Sequence, residues 1–331
     1  MERPESDHSV VFESFEGLVS WWLKAGSALR WDCVFVLPPW LQAWWREFGS
    51  IAELYLRAIK RRDTIIGLAP LLLKGEEVFF AGSADLCDCL DFVVAPGSEY
   101  EFFNILLDDL RQKGICRLEL RPLRPDSTVL THLVGIAKER RYKVSCRVED
   151  VSLERDLPST WEDYLGMLNR KQRHEVRRKL RRLWEAGQVN CRFVQDGDAV
   201  ANVMDLFLEL FRKSKQDKAQ FMTTVRESFF RSLAESMAQA RLLRLGILEL
   251  DARPVAATMC FDYNDTVYLY NSGHDPHYGW LSVGLISKIL CIKDSIERGR
   301  SKFDFLKGAE EYKYRLGGKE IPLHGCEIVI K

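Results

Sequence analysis

The chain carries no net charge and no long apolar run. Its 48 basic and 48 acidic residues cancel over 331 positions, so no global field favours DNA or an anionic membrane, and any anion site must come from local clustering. No apolar stretch approaches the ~20 residues that span a bilayer. The start, Met1-Glu2-Arg3-Pro4-Glu5, lacks the basic-then-apolar order of a secretory leader, which leads us to expect a cytoplasmic protein. Nine cysteines, an odd number with no paired C-x-x-C arrangement, suit reduced thiols better than disulfides or a zinc site. The nucleophile elbow G-x-S-x-G, the Walker loop, H-E-x-x-H and the dinucleotide fingerprint are all missing, which removes the simplest hydrolase, nucleotidase, metalloprotease and dehydrogenase readings.

What is present is a hydrophobic content of 47%, ample for two cores in a chain of this length, and an order of elements that recurs. Residues 53–60 and 64–74 read as two strands joined by a tight turn, with a third at 78–81. The pattern returns as 241–250, 254–261 and 267–271. A helix follows each meander, at 99–113 and 281–298, and a strand follows each helix, at 115–120 and 302–306. We expect an α/β (α+β) protein made of two copies of one unit, each a mixed, largely antiparallel sheet flanked by helices, spanning 1–155 and 156–331. A single mixed sheet is the alternative. Leu157-Pro158-Ser159 marks the boundary, and Ser159-Thr160-Trp161-Glu162 has the form of a capping box.

The densest chemistry lies between Phe303 and Gly317. Phe303 and Phe305 alternate with Lys302 and Asp304, as in a strand with one buried face, and Gly308 ends it. A helical pattern follows, with Glu310 and Glu311 at its start and Lys313 and Arg315 at its end, where the dipole favours them. Acid, phenol and cation thus gather at the carboxyl end of a strand, where open α/β sheets usually place ligands.

Asp304, Lys307, Gly308, Glu310, Tyr312, Lys313 and Arg315 together resemble the closing motif of GNAT-superfamily acyltransferases of the CelD-like, cellulose-biosynthesis type, relatives of the Fem aminoacyl-transferases. The resemblance implies two tandem GNAT-like domains, the second holding the acyl donor, and a function in polysaccharide or cell-envelope biosynthesis. It also implies that Tyr312 is an acid for a departing thiolate, that Glu310 is a base or amine-orienting carboxylate, and that Lys307 or Lys313 stabilises an oxyanion. The bland reading is that Tyr312 is core and that Glu310 and Lys313 simply pair on a helix.

Asn169 can cap a helix over 170–186 that Gly187 ends. Between Arg170 and Leu183 eight Lys and Arg side chains face one acid, Glu175. Such a row either sits in water or meets an anion. Fem-like enzymes begin their second domain with a K-x-R helix that contacts substrate phosphates, and Lys171 and Arg173 fit that pattern, with Arg177 on the same row.

The link from the strand at 267–271 to the next helix contains Ser272, Gly273, Ser282, Val283 and Gly284. In GNAT enzymes this link wraps the pyrophosphate of coenzyme A with unpaired backbone amides at a helix start. Relatives carry Ser-Pro-Gly there, and Val283 stands in place of the proline. His274 and His277 bracket Asp275, but no third ligand is evident, so no metal is expected. Asp88 and Asp91, after the first meander, are candidates to contact substrate, the alternative being a solvated acidic loop.

The reaction these parts suit is transfer of an acyl group from a coenzyme A thioester to a small-molecule amine. Two rivals stand beside it: an aminoacyl-tRNA-dependent transferase using the basic helix for RNA, and a non-catalytic accessory protein of a polysaccharide-synthesis system. The sequence names neither the acceptor nor the oligomeric state.

Overall fold

The structure, a computed structural model, describes residues 8–24 and 28–330; the reading of the first five residues lies outside them. The chain divides into two compact units, Met1–Asp150 with Ile321–Lys331, and Val151–Glu320. The expected second domain ran to residue 331. The difference is the last strand, Lys319–Val329, most of which belongs to the first unit, where it pairs antiparallel with Arg117–Leu123.

In the first unit, strands Glu53–Arg61 and Thr64–Lys74 pair antiparallel about a turn in which Arg62 has φ 52°. Glu77–Phe80 adds to them antiparallel, helix Glu99–Gln112 follows, and Arg117–Leu123 returns parallel to Glu77–Phe80. Trp40 and Trp44, on helix Pro38–Phe48, are fully buried with Phe102 and Phe103. Within this unit Cys146 and Cys326 form a disulfide, their Cα atoms 4.2 Å apart across 180 residues of sequence. This corrects the expectation of reduced thiols throughout. The spacing of cysteines along the chain says nothing about two strands that meet only in the folded sheet. The other seven cysteines are free.

The second unit repeats the order of the first. Val189–Val194, Leu243–Leu250, Arg253–Tyr263 and Thr266–His274 form an antiparallel meander. Its two tight turns are Asp251-Ala252, with φ 49° and 60°, and Asn264-Asp265, with φ 47° and 61°; positive φ at both central residues suits the twist of a hairpin. Helix Val283–Glu297 follows, and Lys302–Lys307 returns parallel to Thr266–His274. The end of strand Lys143–Asp156 covers its other edge. Helices Gly197–Ser214 and Thr224–Gln239 pack on the sheet through Phe207, Phe211, Phe229 and Phe230. No helix among the described residues is long and apolar enough to cross a membrane.

One feature of this sheet positions everything that follows. The parallel pairing of Thr266–His274 with Lys302–Lys307 runs from Thr266 and Lys302 only to Tyr268 and Asp304. Beyond that point the first strand continues to His274 alongside Arg253–Tyr263, while the second bends at Leu306, whose φ is 62°. Two adjacent parallel strands thus part at their carboxyl ends, and helix Val283–Glu297 connects them.

Candidate active site

The entrance to helix Val283–Glu297 is a short 3-10 segment, Pro276–Leu281, capped by Asp275, whose carboxylate accepts from the His277 amide at 2.9 Å. Ser282 then takes a left-handed conformation, φ 60° and ψ 36°. Its carbonyl accepts from Leu285 and Ile286. The Val283 and Gly284 amides are left without an acceptor among the described residues, at the positive end of the helix.

The basic helix, Arg170–Ala186, faces this turn. Asn169 and Gln172 form a reciprocal capping box at its start, while Val176 and Leu183 bury its narrow apolar stripe. Its row of cations divides by partner. Lys179 Nζ donates to Ser282 Oγ at 2.6 Å, and Arg182 donates to the Trp280 carbonyl at 3.1 Å. Of the residues expected to bind phosphate, Arg177 pairs with Glu162 at 2.9 Å, Arg173 reaches the Leu165 carbonyl at 3.5 Å, and Lys171 is exposed. The cations beside the helix start are therefore Lys179 and Arg182. The hydrogen bond from Arg178, against burial and with help from Lys179, holds the Glu175 carboxyl down at about 2.

The other loop residues play different parts. Adding a Cβ to Gly273 would bring it within 2.3 Å of the Phe211 amide nitrogen, so this glycine lets helix Gly197–Ser214 lie against the strand. The Ser272 carbonyl accepts from Lys218. The Val283 side chain is buried.

At the strand end, Asp304 is buried, with Oδ1 accepting from the Leu306 amide at 2.7 Å and from Ser152 Oγ at 3.3 Å. Lys313, 2% exposed, donates to the carbonyls of Leu306 at 2.9 Å, Lys307 at 2.6 Å and Gly308 at 3.0 Å, and its ammonium lies 2.8 Å from Glu310. An ammonium has three protons, and here all are engaged. This corrects Lys313 as a candidate for an oxyanion: it holds the bend that ends the strand. Glu310 stands at the N-cap position of the short helix Glu311–Arg315 without a side-chain capping bond. Burial pushes its carboxyl up, but Lys313 outweighs that and leaves it below the usual range. Arg315 pairs with Glu311 on the surface.

Tyr312 is half-buried in the second unit's core, with its ring edge-on to Phe305. Burial first, and Glu310 second, push its phenol well above the usual tyrosine value, so at neutral pH it keeps its proton. Above its ring, 4.9 Å from the centroid, lies the ammonium of Lys288. With Lys218 and His274, Lys288 belongs to a group that sequence reasoning missed as a unit. The available signal was a lysine inside the apolar run Leu285–Ile292. Asp88 and Asp91 lie in the first unit. Asp91 ties down its own loop through the Thr128 amide and hydroxyl at 2.8 and 2.7 Å, and burial raises its carboxyl to about 6.

Residues 170–314 match the family model described as an acetyltransferase (GNAT) domain. This stretch is a GNAT acyltransferase domain. The basic helix, the helix start at Val283 and Gly284, and the strand end at Asp304 and Tyr312 all lie inside it. Among curated proteins none matches the sequence. Solved structures share the GNAT fold over nearly the whole chain. A FemX superposes with TM-score 0.67 at 11% identity, covering 96% of each chain. The L-PGS of Bacillus licheniformis gives 0.54 at 12%, covering 88% of this chain and 90% of its own. A tandem GNAT protein from the clavulanic acid biosynthesis pathway gives 0.50 at 11%, covering 98% and 99%.

Proposed function

We propose that this GNAT protein acts in the cytoplasm to move an acyl group from acyl-coenzyme A to an amine acceptor, in polysaccharide or cell-envelope biosynthesis. The observation that carries the reading is the pair of unused amides, Val283 and Gly284, at the helix start between the parting strands, flanked by Lys179 and Arg182. Backbone amides and a helix dipole suit a pyrophosphate, and the two cations add charge-assisted bonds.

The chemistry follows from the strand end. The acceptor nitrogen attacks the thioester carbonyl, the carbon–sulfur bond breaks, the nitrogen loses a proton and the sulfur leaves as thiol. Tyr312, held protonated, is the donor to the departing sulfur. Glu310 is the carboxylate that takes the proton from the amine, and Lys307, at the bend that Lys313 holds, is the cation for the developing oxyanion. Neither step requires a metal.

The test is a panel of coenzyme A, acetyl-coenzyme A and charged tRNA, read by thermal shift and mass spectrometry. Ligands that bind only the folded state raise its stability with the logarithm of concentration over affinity. Stabilisation by the thioesters supports the reading. Stabilisation by charged tRNA alone, weakening with salt, would replace it with an aminoacyl transferase, and turnover with no donor would leave an accessory binding protein.

A further inference from the structure

We propose that Lys288, Lys218 and His274 form a subsite for a carboxylate carried by one of the two substrates. The inference rests on the acyl-thioester reading of this domain and names the substrate class. Lys288 lies one helical turn beyond the Val283 and Gly284 amides. It is 7% exposed, and its ammonium makes one hydrogen bond, to the Gly284 carbonyl at 2.6 Å, besides lying over the Tyr312 ring. Two of its three donors therefore have no protein acceptor among the described residues. No carboxylate among the described residues forms an ion pair with it. Burying an unpaired cation is costly, and proteins normally supply a counter-charge or let the group lose its proton.

The surroundings add more positive charge. Lys218 donates to the Ser272 carbonyl and lies 4.7 Å from the Phe211 ring centroid, again with no ion-paired acid among the described residues. His274, its ring against Gly284, makes no side-chain hydrogen bond among the described residues. The titratable and charged groups facing Lys288 are His274 on strand Thr266–His274, Cys260 on strand Arg253–Tyr263, Cys291 on its own helix, Lys218, and Glu310 and Tyr312 at the strand end. Glu310 is committed to Lys313 at 2.8 Å. Burial first and Lys218 second bring Lys288 down to about 7; burial and then Lys215 bring Lys218 down to about 8. Burial and the same lysines lower His274. A carboxylate seated among them would satisfy the open donors and restore their protons. Because the Lys288 ammonium lies over the Tyr312 ring, that carboxylate sits on the Tyr312 side of the helix start, beside the reacting carbon.

The carboxylate can belong to the transferred acyl group or to the acceptor, and two arms of one experiment separate these sources. Titration calorimetry on the full chain at pH 6.5 and 8.5 compares succinyl-coenzyme A with butyryl-coenzyme A, and N-acetylglycine with N-acetylglycinamide, the latter pair with and without coenzyme A. We expect the acid to bind at least ten-fold tighter than its neutral partner in one arm at pH 6.5. That preference should shrink at pH 8.5 and be lost in both Lys288→Met and Lys218→Met. Equal binding of acid and neutral partner in both arms of the wild type overturns the proposal, as does a preference that survives in both variants. If Lys288→Met does not fold, Lys218→Met and the wild-type pH dependence decide. Failure of coenzyme A and both thioesters to bind would instead refute the donor reading, leaving the N-acetylglycine arm to judge the carboxylate site.

Discussion

Lys313 Nζ donates to the Lys307 carbonyl at 2.6 Å, so of the two lysines at this strand end one is consumed in holding the main chain of the other. The bend at Leu306 and Gly308, both at positive φ, is closed by that side chain. It presents Lys307 and Tyr312 in fixed places. Lys313→Met would leave three carbonyls and the Glu310 carboxylate without their donor, at a cost of about 3 kcal/mol, the range for buried hydrogen bonds to a charged group. Urea unfolding checks this through the midpoint. A variant of unchanged stability that has lost only turnover would return Lys313 to the catalytic set.

Tyr312→Phe should lower kcat by about 10²-fold while KM for the thioester stays nearly constant, because a general acid acts on the leaving sulfur in the transition state and not on bound substrate. Steady-state kinetics with a competent donor decide it. Full turnover in this variant and in Lys307→Met would show that these residues hold the sheet end together and nothing more.

Stability should rise with pH between about 7 and 10, and Lys288 should be one cause. A lysine whose folded value is pressed down to about 7, against ~10.4 when unfolded, binds fewer protons folded than unfolded throughout that window. While the unfolded chain holds that extra proton, each rise in pH favours the folded chain, and the gain ends once the unfolded lysine also loses its proton near ~10.4. The gain from a single such group approaches about 1.4 kcal/mol per pH unit at most. Chemical denaturation at pH 7, 8 and 9 should show a shallower rise in Lys288→Met than in wild type; parallel curves would mean that Lys288 is charged at pH 7 in the folded protein.

Lys179→Ala and Arg182→Ala should each weaken coenzyme A by roughly ten-fold, the loss of one charge-assisted contact. Arg173→Ala and Arg177→Ala should change it less, since Arg177 already has Glu162 and Arg173 leans on the Leu165 carbonyl. Calorimetric titration of the four variants tests the division. A larger effect at Arg173 would put the phosphates on the outer row of the basic helix.

Local chemistry made much of this legible from sequence. Asn169 and Gly187 bracket the basic helix because capping depends on residues a turn apart. The hairpins at 251–252 and 264–265 were readable from Asp, Asn and alternating apolar residues, and so was the repeated order of strand, helix and strand, whose last strands pair parallel with their meanders in the structure. Caps of marginal strength were placed less well: Thr160, not Ser159, receives the Asp163 amide. These are short-range effects, and their causes lie within a few residues.

What only the tertiary structure decided depends on partners far apart in the chain. Cys146 and Cys326 meet across 180 residues. Lys313 and Lys307 look alike in sequence, and only the positive φ of Leu306 turns three carbonyls onto one of them. Lys179 was one cation among eight until the fold set it on Ser282. Lys288 reads as an interruption of an apolar helix, and its charge becomes significant only when Lys218, from a helix some seventy residues earlier, and the Tyr312 ring close around it. The sequence by itself therefore determined the elements and the acyltransferase class, because periodicity, caps and a contiguous motif are local. Which ammonium is spent on the fold and which keeps open donors depends on burial and long-range contact, since desolvation is a property of the packed site and not of any segment.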